Sequence, residues 1–294
     1  MSQNSLNIKQ MKNDYPFLKE LWDLYDGFDK PVEGDNKRIY EGYCNLVKDR
    51  LNYDKAKYYD ICMMLIRNLD PSSKVVEKSI SPSHRCFNVN NWLYDTMKKK
   101  HLNNKDIIDW IFVLSKSVNS ENIKNGCSYY SYDTQYKDPI NIIHLKMFDD
   151  NIDVIKSTLA KESEPNNSSV QKYLCKFVQI YKQMYSSYCS DTHRKTHKEI
   201  KICGELGTLR ISYNIFRSGQ PGISGKIPSL DAKEQDPLDI CSPYIQETEL
   251  SSQEGDISGS STSSKIPATI GTMAGVSSVF ALLYKVNTKF YLNI

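Results

Sequence analysis

Eight cysteines and one cysteine–histidine cluster are the residues of this sequence whose types and spacing suggest chemistry. None of the cysteines forms a CxxC pair, which excludes zinc ribbons, thioredoxin-like redox sites and most iron–sulfur motifs. An even number of cysteines spread over one domain favours disulfide bonds in an oxidising compartment. The alternative is eight free thiols in a reducing cytosol. The disulfide candidates within the predicted folded domain are Cys44, Cys62, Cys86, Cys127, Cys175, Cys189 and Cys203, and Cys241 follows later in the chain.

Spacing restricts the pairing of these cysteines only slightly, because eight cysteines allow 105 pairings. Cys44 and Cys62 are equidistant from Tyr53, so a helical hairpin that turns there brings them level. Cys175 and Cys189 lie on one predicted helix about 21 Å apart, beyond the ~7 Å limit between bridged Cα atoms. Each of these two therefore pairs elsewhere, and Cys189 with Cys203 would close a loop around the charged segment DTHRKTHKE.

A metal site is a second interpretation of the same region. Cys189, His193, His197 and Cys203 form the pattern C-x3-H-x3-H-x5-C, whose residue types zinc accepts. Positive charge crowds this cluster, for example at Lys195, and the second cysteine lacks the usual short spacing. A solvated basic helix end explains the segment better, so we predict no metal and no cofactor.

Catalytic motifs are missing from the sequence. It contains no HExxH, GxSxG, GxGxxG or kinase motif set. His84, His101 and His144 are scattered singly, and the carboxylates of Asp149 and Asp150 stand beside lysines at the spacing of ordinary helical ion pairs. We therefore predict a protein that is not an enzyme.

The elements that carry these residues are predicted to be helices. Apolar positions 170, 174, 177, 181, 184 and 188 alternate steps of four and three, as on a helix face packed in a bundle. No convincing alternating strand occurs in residues 1–216. The predicted helices cover 16–26, 37–51, 53–69, 89–101, a segment after Asn103 or Asn104 that reaches Val118, 139–160 and 170–188. The predicted fold class is all-α: a disulfide-containing helical bundle over residues 1–216.

A different composition follows this predicted domain. Residues 217–265 are rich in Pro, Gly and Ser and predict a flexible stalk. The next 19 or so residues, 266–284, carry no charge and as a helix span about 28 Å, close to the thickness of a bilayer core. A buried core helix is the alternative, but no neighbouring apolar element is present to cover it. We predict one transmembrane helix and a short cytoplasmic tail, residues 285–294.

Two glycines inside the predicted span are spaced for helix packing. Gly271 and Gly275 form a GxxxG pattern that lets two helix backbones approach closely, which suggests a homodimer through the membrane helix.

Overall charge and hydropathy exclude several classes of protein. The 38 basic residues face 35 acidic ones, and the net charge of +3 predicts no nucleic-acid partner. The mean hydropathy of −0.54 excludes a polytopic membrane protein. The first residues, MSQNSLNIKQMKND, lack the apolar region of a secretory signal.

Several segments together resemble a known family. They are DICMMLIRNL at 60–69, CFNVNNWLYDTM at 86–97, YLCKFVQIYKQMYSSYC at 173–189 and IGTMAGVSSVFALLYKVNTKFYLNI at 270–294. In this order they resemble the Plasmodium interspersed repeat (PIR) superfamily, of the Vir type, the variant surface antigens of malaria parasites. The Lys-, Asn- and Tyr-rich composition agrees with the resemblance.

The resemblance implies a non-catalytic, single-pass membrane protein. Its helical ectodomain would be exported to the infected red-cell membrane or parasite export compartments, with the N-terminal domain outside. Its role would be antigenic variation and immune evasion, with a host surface receptor or antibody as partner beside the lipid bilayer. Exposed loops such as 120–138 and 161–169 would carry recognition. The alternative is a tail-anchored intracellular helical scaffold with a reduced cytosolic N-domain.

Overall fold

Helices carry nearly all of the described chain. The computed structural model describes residues 6–73, 80–118, 126–161, 166–190, 195–220, 222, 224–231, 240, 241 and 244, all within the unit Met1–Leu250. Over these residues it has no β-strand, which confirms the all-α class. The helices are α1 (Ile8–Asp14), α2 (Lys19–Asp29), α3 (Lys37–Asp49), α4 (Lys55–Leu69), α5 (Pro82–Lys100), α6 (Lys105–Ser115), α7 (Tyr132–Gln135), α8 (Pro139–Asp150), α9 (Ile152–Leu159), α10 (Asn166–Tyr188) and α11 (His197–Ser218), with 3-10 turns at Pro16–Leu18 and Ser224–Lys226.

Capping side chains set several helix boundaries. The backbone N–H of His84 donates to the Ser81 hydroxyl (3.2 Å), and Pro82 occupies the first turn, so α5 begins seven residues before the predicted 89. At α11, Thr196 and Glu199 form a capping box that the sequence analysis overlooked together with the helix itself.

The predicted helix 139–160 is two helices. It breaks at Asn151, which has φ −120° and ψ 18° and donates its side-chain amide to the carbonyl of Met147 (2.8 Å). A buried Asn that bonds the preceding turn replaces a helical hydrogen bond and redirects the chain into α9.

Two helical groups form the hydrophobic core. In the first, α4 packs against α2, α3, α5 and α6, and in the second, α10 packs against α8, α9 and α11. Aromatic rings fill the second group, where Phe177 stacks on Tyr213 with centroids 4.9 Å apart and Phe148 contacts both rings. The aromatic residues Tyr173, Phe177 and Tyr181 of α10 are buried in the core, whereas Tyr185 is 44% exposed.

A buried arginine joins α4 to the end of α2. Arg67 is only 3% exposed, and its guanidinium donates to the carbonyls of Gly27 (3.1 Å), Phe28 (2.7 Å) and Pro31 (3.0 Å). The carbonyls at a helix C-terminus lack intrahelical donors and carry partial negative charge. A cation placed there satisfies both needs, so Arg67 of α4 fixes the end of α2.

A second arginine repeats this arrangement one helix later. Arg85 of α5 donates from Nε to the carbonyl of Asn68 at the end of α4 (2.8 Å) and from its guanidinium to the carbonyl of Asp70. The buried Asp70 carboxylate accepts from the Tyr40 hydroxyl (2.6 Å) and from the Ser72 backbone N–H (2.8 Å). The turn that follows α4 is therefore fixed from both sides.

A polar network connects α2, α5 and α8 through the core. His84 Nδ1 lies 2.8 Å from a carboxylate oxygen of Asp150, whose other oxygen accepts from the Asn88 amide (2.9 Å). The Tyr25 hydroxyl donates to Asn88 (3.1 Å). The hydrogen bond to Asp150 raises the pKa of His84 above its usual value.

The folded chain continues beyond the predicted boundary at residue 216. Helix α11 runs to Ser218, and the segment that follows turns back, burying Ile227 and Leu230 against the domain. The Tyr213 hydroxyl donates to the carbonyl of Pro228 (2.7 Å). The first part of the predicted 217–265 stalk is thus part of the domain.

The predicted membrane segment lies outside the described residues. Residues 266–284, with Gly271 and Gly275, and the tail 285–294 all fall there. Within the part of the chain that the structure describes, no helix combines the length and the apolar character needed to cross a bilayer.

Replacing Arg67 by Met should destabilise the domain strongly. The substitution removes the hydrogen bonds from Arg67 to the carbonyls of Gly27, Phe28 and Pro31, and we expect a loss of about 3 kcal/mol in the free energy of unfolding. Urea unfolding under oxidising conditions measures it. The matched control, Arg38→Met on the exposed surface of α3, should change stability by less than about 0.5 kcal/mol. Equal effects of the two substitutions would contradict the role given to Arg67.

Stability should fall in mild acid because of His144. Burial, followed by the nearby charge of Lys176, lowers the pKa of His144 to about 4, whereas the unfolded value is about 6.5. As pH drops below about 6.5, His144 becomes protonated in the unfolded chain but stays neutral in the native state, so the free energy of unfolding decreases. Between pH 8 and pH 5 we expect a loss of about 2 kcal/mol that the His144→Gln variant lacks.

His84 provides the opposite control for this measurement. Because its folded pKa is raised, the stability that His84 contributes is present below about pH 6.5 and disappears as pH rises through the folded value. The His84→Gln variant should therefore lose more stability at pH 5 than at pH 8. Parallel pH profiles for the two variants would refute both assignments.

Candidate functional site

Four disulfides form the covalent frame of the domain. They join Cys44 to Cys62, Cys86 to Cys127, Cys175 to Cys241, and Cys189 to Cys203. Their Cα–Cα distances of 5.7, 5.3, 5.5 and 5.6 Å lie within the normal range for bridged cysteines. No cysteine remains free.

Two pairings coincide with those suggested by spacing. Cys44–Cys62 joins the two arms of the α3–α4 hairpin, and Cys189–Cys203 joins the end of α10 to α11. Sequence reasoning left the partners of Cys86, Cys127 and Cys175 open and placed Cys241 outside the domain. The even total of eight cysteines was the available signal that Cys241 also pairs.

The Cys189–Cys203 disulfide removes the two thiolates that the zinc hypothesis required. Of its other members, His197 is the first residue of α11, and His193 lies outside the described residues. Among the residues that the structure describes, no group of three or more His, Cys, Asp or Glu side chains could hold a metal ion.

A polar cleft of about 720 Å3 opens on the described surface. It lies where the end of α5, the turn from α7 into α8 and the last turns of α10 meet. Its lining residues are Tyr94, Met97, Lys98, His101, Asn103, Asp133, Lys137, Asp138, Pro139, Ile140, Asn141, Gln183 and Tyr188.

Local sequence signals place these side chains. Helix α5 ends at His101, which adopts the left-handed conformation (φ 55°) that ends a helix. Asp138 caps α8 by accepting from the backbone N–H of Asn141 (3.4 Å) and from its side-chain amide (2.8 Å). Both walls of the cleft are therefore helix ends, whose polar groups face the opening.

Ion pairs hold the basic residues of the cleft. Lys98 bonds Asp133 (3.0 Å) and lies 5.4 Å from the Tyr94 ring centroid, and Lys137 bonds Glu199 of α11 (2.7 Å). The bond from Lys137, with those from the backbone and hydroxyl of Thr196, lowers the pKa of Glu199 to about 2. Mixed charge, amides and two tyrosines make this cleft suitable for binding a hydrophilic surface.

The histidines and carboxylates considered for catalysis do not converge here. His84 and Asp150 meet in the core network, Asp149 accepts from Ser212, and His144 stands apart on α8. Only His101 of the three single histidines lines the cleft. Within the cleft, Asp133 is paired with Lys98 and Asp138 accepts from the Asn141 amide.

The segment 120–138, expected to be an exposed recognition loop, is anchored in the core by three of its described residues. Cys127, Tyr132 and Tyr136 are buried, and the Tyr136 hydroxyl donates to Glu205 of α11 (2.6 Å). Only Asp133 and the residues from 137 onward reach the cleft. In 161–169, the second expected loop, α10 already begins at Asn166. Residues 119–125 and 162–165 lie outside the described part.

The two C-terminal disulfides should differ in their contribution to stability. Cys175–Cys241 spans 66 residues and Cys189–Cys203 spans 14. A bridge that closes a longer loop restricts the unfolded chain more. Replacing both Cys175 and Cys241 by Ala should therefore lower the free energy of unfolding by about 4 kcal/mol, and replacing both Cys189 and Cys203 by Ala should lower it by about 3 kcal/mol. Urea midpoints of the two double variants test the order. A larger loss for the shorter bridge would mean that loop closure is not the main effect.

Comparison with known proteins identifies the family of the chain. The family model described as Plasmodium vivax Vir protein matches residues 20–207, more than half of the chain. Searches of the curated proteins and of the solved structures give no match. On the family match, which includes seven of the eight bridged cysteines and the residues of the cleft, the chain belongs to the Plasmodium Vir protein family.

Proposed function

We propose that this protein is a non-catalytic variant surface antigen whose helical domain is displayed outside the infected red cell, where it serves antigenic variation and immune evasion. The observation that carries the proposal is its membership of the Vir family, a family of variant antigens not known for enzymatic activity. Adhesion to a host surface receptor is a further role that the polar cleft would suit.

The disulfides support an oxidising location. Structural disulfides persist in secretory and extracellular environments and are rare in the reducing cytosol. All eight cysteines of the domain are bridged. The alternative of a tail-anchored scaffold with a reduced cytosolic domain receives no support from this pattern.

The distribution of stabilising contacts suits a surface that must vary. The four disulfides and the buried side chains of Arg67 and Asp70 hold the helices together from within. Exposed positions away from such contacts change stability by no more than about 0.5 kcal/mol when substituted. Sequence diversification of the surface is therefore tolerated by the fold, which immune evasion requires.

Staining of infected red cells should reveal the domain on their outer face. Antibodies against the folded domain should label intact cells, whereas antibodies against residues 285–294 should label only permeabilised cells. Both antibodies are applied to the same culture, so that each serves as a control for expression of the protein. Labelling by the domain antibodies only after permeabilisation would refute the proposal.

The cleft can be tested within the same assay. We consider a panel of antibodies that come from exposed hosts and bind the wild-type domain. Some of them should bind the Lys98→Glu/Lys137→Glu variant at least about tenfold more weakly, because a few residues supply most of the binding energy of an interface. The control, Lys55→Glu on α4, changes an exposed lysine outside the cleft. Identical loss for both variants would exclude a special role of the cleft.

A further inference from the structure

The outer face of α11 is an uncharged stripe that no described part of the chain covers. Its centre consists of Ile200, Gly204, Gly207 with Thr208, Ile211 and Ile215, which recur at helical spacing over about 22 Å. The three isoleucines are 59%, 65% and 66% exposed. A large exposed apolar surface rimmed by polar residues is typical of an interaction site.

Both sides of this stripe are already occupied by the chain itself. On one side, Arg217 donates to the carbonyl of Ile227 (3.2 Å) and Arg210 pairs with Asp231 (2.6 Å), so the returning segment lies beside the stripe. On the other, Glu205 bonds Lys146 of α8 (3.2 Å). The segment after α11 thus passes the stripe without covering it.

The order of residues along the stripe is symmetric. Gly204 and Ile211 are equally far from the midpoint between Gly207 and Thr208, and so are Ile200 and Ile215. In an antiparallel pair of identical helices, each Ile211 would come level with Gly204 of the second copy. Symmetric dimers require this kind of self-complementary surface, in which one patch serves both partners.

The two glycines leave room for this packing. A Cβ atom built on Gly204 or Gly207 would meet nothing within 4 Å, so the space above both residues is open. Glycines on a helix face let a neighbouring helix approach closely, and large side chains then fill the holes. Because the stripe carries no charged side chain, it meets its own copy without repulsion between like charges.

We propose that a second copy of this chain docks on α11 in antiparallel orientation, with Ile211 of each copy seated over Gly204 of the other. This interface belongs to the helical domain and is separate from the GxxxG pattern of residues 271–275. It goes beyond the proposed role as a surface antigen and does not depend on the membrane in which the chain resides.

Mass measurement of the full chain in mild detergent tests the dimer. Light scattering at micromolar concentration should give a dimer for the wild type. Ile211→Glu and Gly204→Leu should each raise the dimer dissociation constant at least about tenfold, because central anchors dominate interfaces. Leu46→Glu, at an apolar α3 residue that is 50% exposed, is the matched control and should leave the dimer intact. Thermal unfolding of each variant verifies folding.

The Gly275→Ile variant separates this interface from the membrane segment. Persistence of the dimer in this variant supports docking on α11. A monomeric wild type, or a dimer lost in Gly275→Ile but retained in Ile211→Glu, would overturn the proposal. A monomer in which the chain's own C-terminal segment covers α11 counts among these overturning results.

Cysteine crosslinking tests the orientation. An Ile200→Cys chain mixed with an Ile215→Cys chain should form a crosslinked heterodimer under oxidation, since antiparallel docking places these positions level. Each variant adds one thiol to a chain whose native cysteines are all bridged. Crosslinking of Ile200→Cys to itself in preference to the mixed pair would indicate parallel docking and contradict the proposed geometry.

Discussion

The carbonyl groups at helix ends impose the constraint on which the arrangement of the first helical group depends. In the last turn of α2 the residues Gly27 and Phe28 are buried, and the guanidinium of Arg67 donates to both of their carbonyls. Arg85 of α5 donates in the same way to the carbonyls at the end of α4. The ends of α2 and α4 are thus each held by an arginine from a later helix. The Cys44–Cys62 bridge and the Tyr40–Asp70 bond then fix α3 against this pair. Helices α2 to α5 are consequently placed by polar contacts at their ends as much as by their apolar faces.

The second helical group is held differently. Stacked rings of Phe148, Phe177 and Tyr213 fill its centre, and the Cys189–Cys203 bridge fixes α10 to α11. The network of His84, Asn88 and Asp150 joins this group to α5 across the core. Ion pairs nearer the surface add further links, for example from Lys146 of α8 to Glu205 of α11 (3.2 Å).

The sequence predicted the helices that carry a regular apolar face, such as 37–51 and 53–69, and the bridge between them, because periodicity and equal spacing are local signals. It did not predict α11, whose three isoleucines on the outer face obscure the inward-facing positions of Ile202, Leu206 and Tyr213. The break at Asn151 was missed since its cause is a side-chain bond that periodicity does not record. The cleft was equally hidden, because it arises where the ends of three distant segments meet. The role of Arg67 depends on a helix about forty residues earlier, a relation that no spacing rule provides.

The Cys175–Cys241 bridge has a mechanical consequence for any load applied to the chain beyond residue 241. Such a load passes through the disulfide directly into the interior of α10, where Cys175 lies. The intervening residues 176–240, which contain α11, lie within the loop that this bond closes. Tension that enters at Cys241 therefore reaches α10 through the disulfide before it reaches α11, and the bond acts as a mechanical shunt that shields the α11 surface.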